Sequence, residues 1–159
     1  PLGAPEGVVI RRFRRADMAA LLRVEEECFP PGRRYSEPTF RYLMSLPGSV
    51  TLVAEVGGEV AGYALGYLEP GGVGHVASLA VRPAYRRRGV GTALLRALEG
   101  ELAREGARAF RLEVAVSNRE ARRLYEREGY EVVGVLPGYY GGEDGLLMEK
   151  RPGRGRARP

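Results

Sequence analysis

The chain of 159 residues holds a single cysteine, Cys28. No internal disulfide and no cysteine-based zinc cluster can form, and a reducing cytoplasm is the expected location. No apolar run approaches the roughly 18 to 20 residues that a membrane-spanning helix needs, so no membrane partner is expected. Residues 1–7 lack the basic and apolar regions of a secretory signal and read as a flexible N-terminus. Histidine is as scarce as cysteine. His75 is the only one, and one ring with a carboxylate makes a poor ligand set, so no metal is expected.

What is present fits one domain. Hydrophobic residues make up 44% and charged residues 28%, enough for a real core and against global disorder. The net charge of +5 invites a nucleic-acid reading, but Arg151, Arg154, Arg156 and Arg158 supply four of those charges. The body is therefore nearly neutral, and no specific DNA contact is expected. Residues 152–159, rich in Pro, Gly and Arg, cannot bury apolar surface and are expected to be a disordered basic tail. That tail reads either as a solvated solubility segment or as a tether to RNA or the ribosome.

Local patterns divide residues 8–151 into a regular series. Val8 to Arg14 predicts a strand, and Asp17 a cap for a helix running to about Cys28, striped by Met18, Leu21, Leu22, Val24 and Cys28. Pro30, Pro31 and Gly32 stop it. Ser36 is a cap for a short helix carrying Phe40, Leu43, Met44 and Leu46, ended by Pro47-Gly48. Val50 to Val56 and Glu59 to Leu68 flank Gly57-Gly58, a hairpin signal, and His75 to Val81 is a fourth strand. Gly89 opens a helix striped by Leu94, Leu95, Leu98 and Leu102; Arg108 to Val116 is the next strand. Asn118 caps a helix through Glu128, Gly129 stops it, and Tyr130 to Leu136 pairs with Gly145 to Arg151. The order β-α-α-β-β-β-α-β-α-β-β predicts an α+β domain with a mixed, mostly antiparallel sheet of about seven strands and about four helices.

The most informative stretch follows the fourth strand: Arg86-Arg87-Arg88-Gly89-Val90-Gly91-Thr92 leads straight into an amphipathic helix. The first N–H groups of a helix lack acceptors and sit at the positive end of its dipole. Glycines keep the backbone uncrowded, so a phosphate could approach those groups, with the arginines adding charge. Two nucleotide motifs fail here. No Lys-Ser/Thr pair follows for a Walker loop, and Leu94 stands where a dinucleotide fingerprint needs its third small residue.

Arg86-x-x-Gly89-x-Gly91 resembles the acetyl-CoA pyrophosphate loop of the GNAT N-acetyltransferases. A second block, Leu112-Glu113-Val114-x-x-Ser117-Asn118-x-x-Ala121-x-x-Leu124-Tyr125-x-x-x-Gly129-Tyr130, resembles the protein N-terminal acetyltransferases of that family, including those of archaea and those acting on ribosomal-protein alanine. Gly138-Tyr139-Tyr140 with Glu143-Asp144 is similar to their late hairpin, and Phe29-Pro30 and Tyr35-Ser36-Glu37 to their first helical region. The resemblance covers residues 8 to 150. It implies a GNAT sheet splayed between strands 4 and 5, and acetyl-CoA as cosubstrate. By that resemblance Leu79, Ala80 and Val81 hold the pantetheine arm, joined by Arg86, Arg87, Arg88, Gly89, Val90, Gly91, Thr92, Asn118 and Tyr125. Three departures stand out: Ala115 replaces a usual arginine, Gly145 a usual alanine, and Arg33 and Arg34 are added before Tyr35.

The implied reaction moves an acetyl group onto the α-amine of a protein or peptide N-terminus by direct attack. Glu113 lies on the opposite strand face from Leu112 and Val114, which suits a general base acting directly or through water. Tyr125 is the general acid by resemblance, or core packing. His75, assigned by strand parity to the face of Ala77 and Leu79, is an auxiliary base, a peptide contact or a structural residue. Tyr35, Tyr139 and Tyr140 line a peptide groove or pack as loop aromatics. Cys28 reads as core, which disfavours an acetyl-enzyme. Two rival functions stay open: acetylation of lysine or a small amine by the same fold, and an RNA or ribosome module built on the tail.

Overall fold

The computed structural model describes residues 4–152. Residues 1–3 of the expected flexible N-terminus and 153–159 of the expected tail lie outside the described residues. Within them the chain forms β1 (Val8–Arg12), α1 (Met18–Cys28), α2 (Glu37–Met44), β2 (Val50–Val56), β3 (Glu59–Glu69), β4 (Val73–Val81), α3 (Val90–Arg104), β5 (Ala109–Ala115), α4 (Arg119–Arg127), β6 (Glu131–Leu136) and β7 (Gly145–Lys150). Short 3-10 turns at Arg15–Asp17 and Pro83–Tyr85 lead into α1 and toward α3.

The seven strands make one sheet in the order β1-β2-β3-β4-β5-β7-β6. Every neighbouring pair is antiparallel except β4 and β5, which run parallel and pair only over Val73–His75 against Ala109–Arg111. Beyond that short ladder the two strands diverge. Connectivity accounts for the parallel direction: β4 reaches β5 through the crossover helix α3, whereas β2–β3, β3–β4 and β6–β7 are consecutive antiparallel strands.

One layer packs Leu94, Leu95, Leu98 and Leu102 of α3 against Leu52, Ala64, Val76, Phe110 and Leu112 of the sheet. The other face buries Leu21, Val24 and Phe40 of α1 and α2 against Val53, Tyr63 and Leu65. Fully burying each of these large apolar side chains contributes roughly 1.5–3 kcal/mol. Ser36 and Asn118 cap as their sequence positions predict, each side chain accepting an N–H three residues on, from Thr39 and Ala121. Asp17 does not cap α1. Its carboxylate instead accepts the Arg14 N–H at 2.7 Å and both arms of the Arg11 guanidinium at 2.8 and 2.9 Å.

One register shift alters the expected faces. Leu65 pairs with Ser78 but Gly66 pairs with Val76, so Ala77 is an extra, bulged residue on β4. Val76 packs on the α3 side, and so do Leu79 and Val81 beyond the bulge. Ala77 and Ala80 pack with the α1/α2 layer. The bulge reverses strand parity, so His75 and Leu79 lie on opposite faces, not on one.

Candidate active site

The divergence of β4 and β5 opens a cleft of ≈ 1000 Å³, lined by β4, β5, α1, α4 and the N-terminus of α3. That volume sits at the upper end of small-molecule sites. Along its β4 wall run Leu79, Ala80 and Val81, past the end of the ladder to β5, so this edge of β4 faces the gap without a neighbouring strand. At one end lies the turn before α3. Gly89 has φ +80°, the left-handed conformation that a side chain disfavours. Arg87, with φ +63°, shares that conformation without glycine's freedom. These two positive-φ residues wind the chain so that the N–H groups of Val90, Gly91 and Thr92 have no acceptor within the helix and border the cleft. A β-carbon on Gly91 would lie 3.3 Å from Leu124 and 3.7 Å from Val81, so this glycine also lets α4 and β4 close on α3.

Arginine placement differs from the simple expectation of three charges at the turn. Arg86 and Arg87 line the cleft, and the Arg86 Nε–H donates to the Val81 carbonyl at 2.9 Å. Arg88 lies over the Tyr85 ring, 5.6 Å from its centroid, and is not part of the cleft wall. Arg119, Arg123 and Arg127 of α4 supply cations on the facing wall, a contribution that the tripeptide Arg86–Arg88 does not signal.

At the point of divergence stand the titratable groups. Glu113 of β5 faces the cleft, opposite in strand phase to the buried Leu112 and Val114. Its Oε1 lies 2.7 Å from Nε2 of His75. The ring stands behind the carboxylate, with Nδ1 2.8 Å from the Tyr67 hydroxyl and 3.2 Å from Oε2 of Glu69. Tyr125, on α4, borders the same cleft with only 6% of its surface exposed. Burial alone pushes its hydroxyl up to about 12. The pocket thus brings Glu113 and Tyr125 to one space, with Asn118 at its rim.

The far end is built by loops. Tyr35 follows α1 and donates its hydroxyl to the Ala77 carbonyl at 3.1 Å, an acceptor exposed by the bulge; burial raises this phenol above the usual tyrosine range. Tyr140 sits across from it, between β6 and β7, also raised chiefly by burial. Arg33 bridges the two loops: its guanidinium lies 5.2 Å from the Tyr140 ring centroid and donates to the Tyr140 carbonyl at 3.2 Å and to Glu143 at 3.3 Å. Glu143 in turn accepts the Ser117 N–H at 2.7 Å. Tyr139 packs edge-on against Tyr140 but is 53% exposed and does not line the cleft.

Glu25 is the residue that pattern reading overlooks. It is 2% exposed, borders the cleft floor, and accepts the Tyr35 N–H at 2.8 Å and the Tyr63 hydroxyl. Tyr63 also shares a hydrogen bond with Ser78 at 2.7 Å. Burial raises the Glu25 carboxyl despite those donors. A signal exists in the sequence: Glu25 falls four residues after Leu21 and three before Cys28, on the apolar stripe. Cys28 itself lines the cleft from α1 and lies 3.3 Å from the Val81 carbonyl, so it is only partly core.

Residues 18–130 match the model of the acetyltransferase (GNAT) family. The chain belongs to the GNAT acetyltransferases. Among relatives, this GNAT chain is 40% identical over 146 residues to an uncharacterized N-acetyltransferase of Methanocaldococcus jannaschii, covering 91% of this chain and 92% of the relative. It is 36% identical to the N-alpha-acetyltransferase of Sulfurisphaera tokodaii, covering 87% and 90%. Its fold superposes on the crystal structure of Ard1 from Thermoplasma volcanium with a TM-score of 0.84 at 26% identity, over 91% of this chain and 97% of that one. The family uses acetyl-CoA, and the site fits such a ligand: helix-start amides at a left-handed glycine turn, cations on two walls, and a strand edge beyond the β5 ladder leading toward Glu113. Among the described residues no group of three or more His, Cys, Asp or Glu side chains is arranged to hold a metal. The tail invoked for RNA or ribosome contact lies outside the described residues.

Proposed function

We propose that this acetyltransferase acetylates the N-terminal α-amine of proteins or peptides, with Glu113 as the base and Tyr125 as the group facing the departing sulfur. Acetyl-CoA, when bound, supplies the acyl thioester. The amides of residues 89–92 with Arg86 and Arg87 would hold its diphosphate, and the edge of Leu79, Ala80 and Val81 its extended arm. Asn118 would hold the arm from the α4 side. Supporting this reading is one observation above others: a carboxylate stands at the fork of the sheet, facing the cleft and backed by a histidine at 2.7 Å.

The acceptor must lose a proton before it attacks. An α-ammonium has a pKa near ~8, against ~10.4 for a lysine side chain. Neutralising the first at pH 7 costs about 1.4 kcal/mol and the second about 4.6 kcal/mol, at about 1.36 kcal/mol per unit. A solvent-reached carboxylate is a sufficient base for the first task and a weak one for the second. The Arg33 bridge between the two loops favours entry of a chain end, and the archaeal N-alpha-acetyltransferase relatives point the same way. Tyr35 and Tyr140 would flank the acceptor backbone, with Tyr139 at the outer rim.

The test is acetyl transfer to a peptide library varied at its first two residues, with N-terminally blocked lysine peptides alongside. Acetylation of free N-termini is the expected result. Acetylation confined to blocked lysine peptides, or to small amines, would replace this assignment.

A further inference from the structure

Coenzyme A carries three phosphate groups, and the turn before α3 accounts for two of them. The amides of residues 89–92 suit the diphosphate. The third group, a monoester on the 3′ oxygen of the ribose with about −1.5 to −2 charge at pH 7, has no partner assigned so far. One sugar ring joins it to the diphosphate, so it must settle beside the same turn. What stands beside that turn is α4. A β-carbon on Gly91 would lie 3.3 Å from Leu124, so the first turn of α3 packs against the middle of α4. Arg123 precedes Leu124 and Arg127 follows it by three positions. With Arg119 they recur every four residues, in one row along a single flank of the helix. All three are exposed and line the cleft. Among the described residues none of the three forms a hydrogen bond or ion pair, whereas their neighbours are engaged. Arg122 donates to the Val116 carbonyl at 2.8 Å, and Arg96 of α3 pairs with Glu128 at 2.8 Å. Glu120 lines the same wall, which leaves the row with three positive charges against one negative.

We propose that Arg123 and Arg127 bind the ribose 3′-phosphate of coenzyme A, with Arg119 adding charge one turn away. These two flank Leu124, the α4 residue against the turn. A guanidinium presents N–H groups side by side, matched to a pair of phosphate oxygens, and the four-residue spacing lets two such groups close on one phosphate. This deepens the reading of residues 89–92 as the diphosphate site and rests on it, but does not depend on which amine accepts the acetyl group. It also makes the cleft selective. Thioesters of coenzyme A are separated from those of dephospho-coenzyme A or pantetheine, which carry the same reactive group.

Titration calorimetry of the full chain with coenzyme A and with 3′-dephospho-coenzyme A tests this, since the two probes differ only in that phosphate. The wild type is expected to bind coenzyme A roughly tenfold or more tighter than the dephospho form. In the double variant Arg123→Gln/Arg127→Gln, affinity for coenzyme A is expected to fall to that for the dephospho form, whose own affinity stays near the wild-type value. Both side chains are exposed, so their replacement leaves the core intact. Arg104→Gln removes an exposed charge at the far end of α3 and is expected to keep the wild-type ratio. A wild-type ratio near one, a double variant that keeps the wild-type ratio or loses both probes alike, or an Arg104→Gln variant that collapses the ratio as fully would each overturn the proposal. Gly89→Ala is expected to weaken both probes by the same factor, so a failure of the diphosphate reading is seen separately from a failure of the ratio.

Discussion

Replacing Tyr125 by phenylalanine tests what its hydroxyl does, and the geometry sets the size of the effect. Burial holds the group at about 12, whereas an ordinary thiol titrates near ~8.5. Complete proton transfer from this phenol to a thiolate would therefore run uphill by roughly 3.5 units, or about 5 kcal/mol. A hydrogen bond to the sulfur as charge grows on it avoids that cost. Such a bond to a charged acceptor contributes about 1.5–3 kcal/mol, which is roughly a 10- to 150-fold change in rate. Tyr125→Phe should accordingly lower kcat by that factor while the Michaelis constants change little. Burial is the sole cause of the shifted hydroxyl, with no protein partner contributing, so its loss orphans nothing and the midpoint of thermal unfolding should stay within about 2 °C. The group remains protonated through pH 10, so the wild-type kcat profile should show no basic limb from it. Steady-state kinetics and calorimetry on both proteins decide the matter. A fall in kcat of less than threefold, or a drop in melting temperature of many degrees, would refute the reasoning.

Glu113→Gln keeps the shape of the fork but removes the proton acceptor, so kcat should fall by on the order of 10² to 10⁴ while calorimetric affinity for acetyl-CoA is retained; near-normal turnover would disqualify Glu113. Gly89→Ala forces a side chain into φ +80°, 3.1 Å from Pro5, at a strain of roughly 1–2 kcal/mol; titration calorimetry should show acetyl-CoA binding weakened tenfold or more, and an unchanged affinity would mean the turn is not the diphosphate site. Arg11 holds the Asp17 carboxyl below its ordinary 3.8. A depressed folded-state value gives stability that is complete above about pH 4 and disappears as pH falls through the folded-state value. Asp17→Asn should cost about 2 kcal/mol at neutral pH and flatten the acid side of the melting-temperature profile, as followed by circular dichroism; a parallel profile would contradict the pairing.

Much of the fold was legible because each element is signalled locally. Gly57-Gly58 marks a hairpin, Ser36 and Asn118 carry the capping oxygens that helix starts require, and the leucines of α3 repeat at helical spacing. The Gly89 turn was equally readable, since a left-handed residue before a helix leaves few choices but glycine. What escaped depends on pairing between distant segments. The bulge at Ala77 exists only in the register between β3 and β4, and alternation within β4 alone assigned Leu79 to the wrong face. Asp17 looked like a cap until Arg11 and Arg14 came within reach. Glu25 was hidden by its charge, for a carboxylate on an apolar stripe becomes tolerable only when Tyr35 and Tyr63 arrive to donate to it. Glu113 and His75 were each visible singly, while Glu69, the third member of their line, stands in sequence as an unremarkable strand end.

The parallel ladder between β4 and β5 is only three residue pairs long, and this bears on more than the shape of the cleft. The two half-sheets meet as the arms of a wedge meet at its apex, so a molecule seated between them acts as a splint. Residues 79–81 and 113–115, at the open end of the wedge, are the backbone that such a splint would quieten first. Occupancy by the first substrate would then brace the walls that receive the second, through rigidity and without any change of shape.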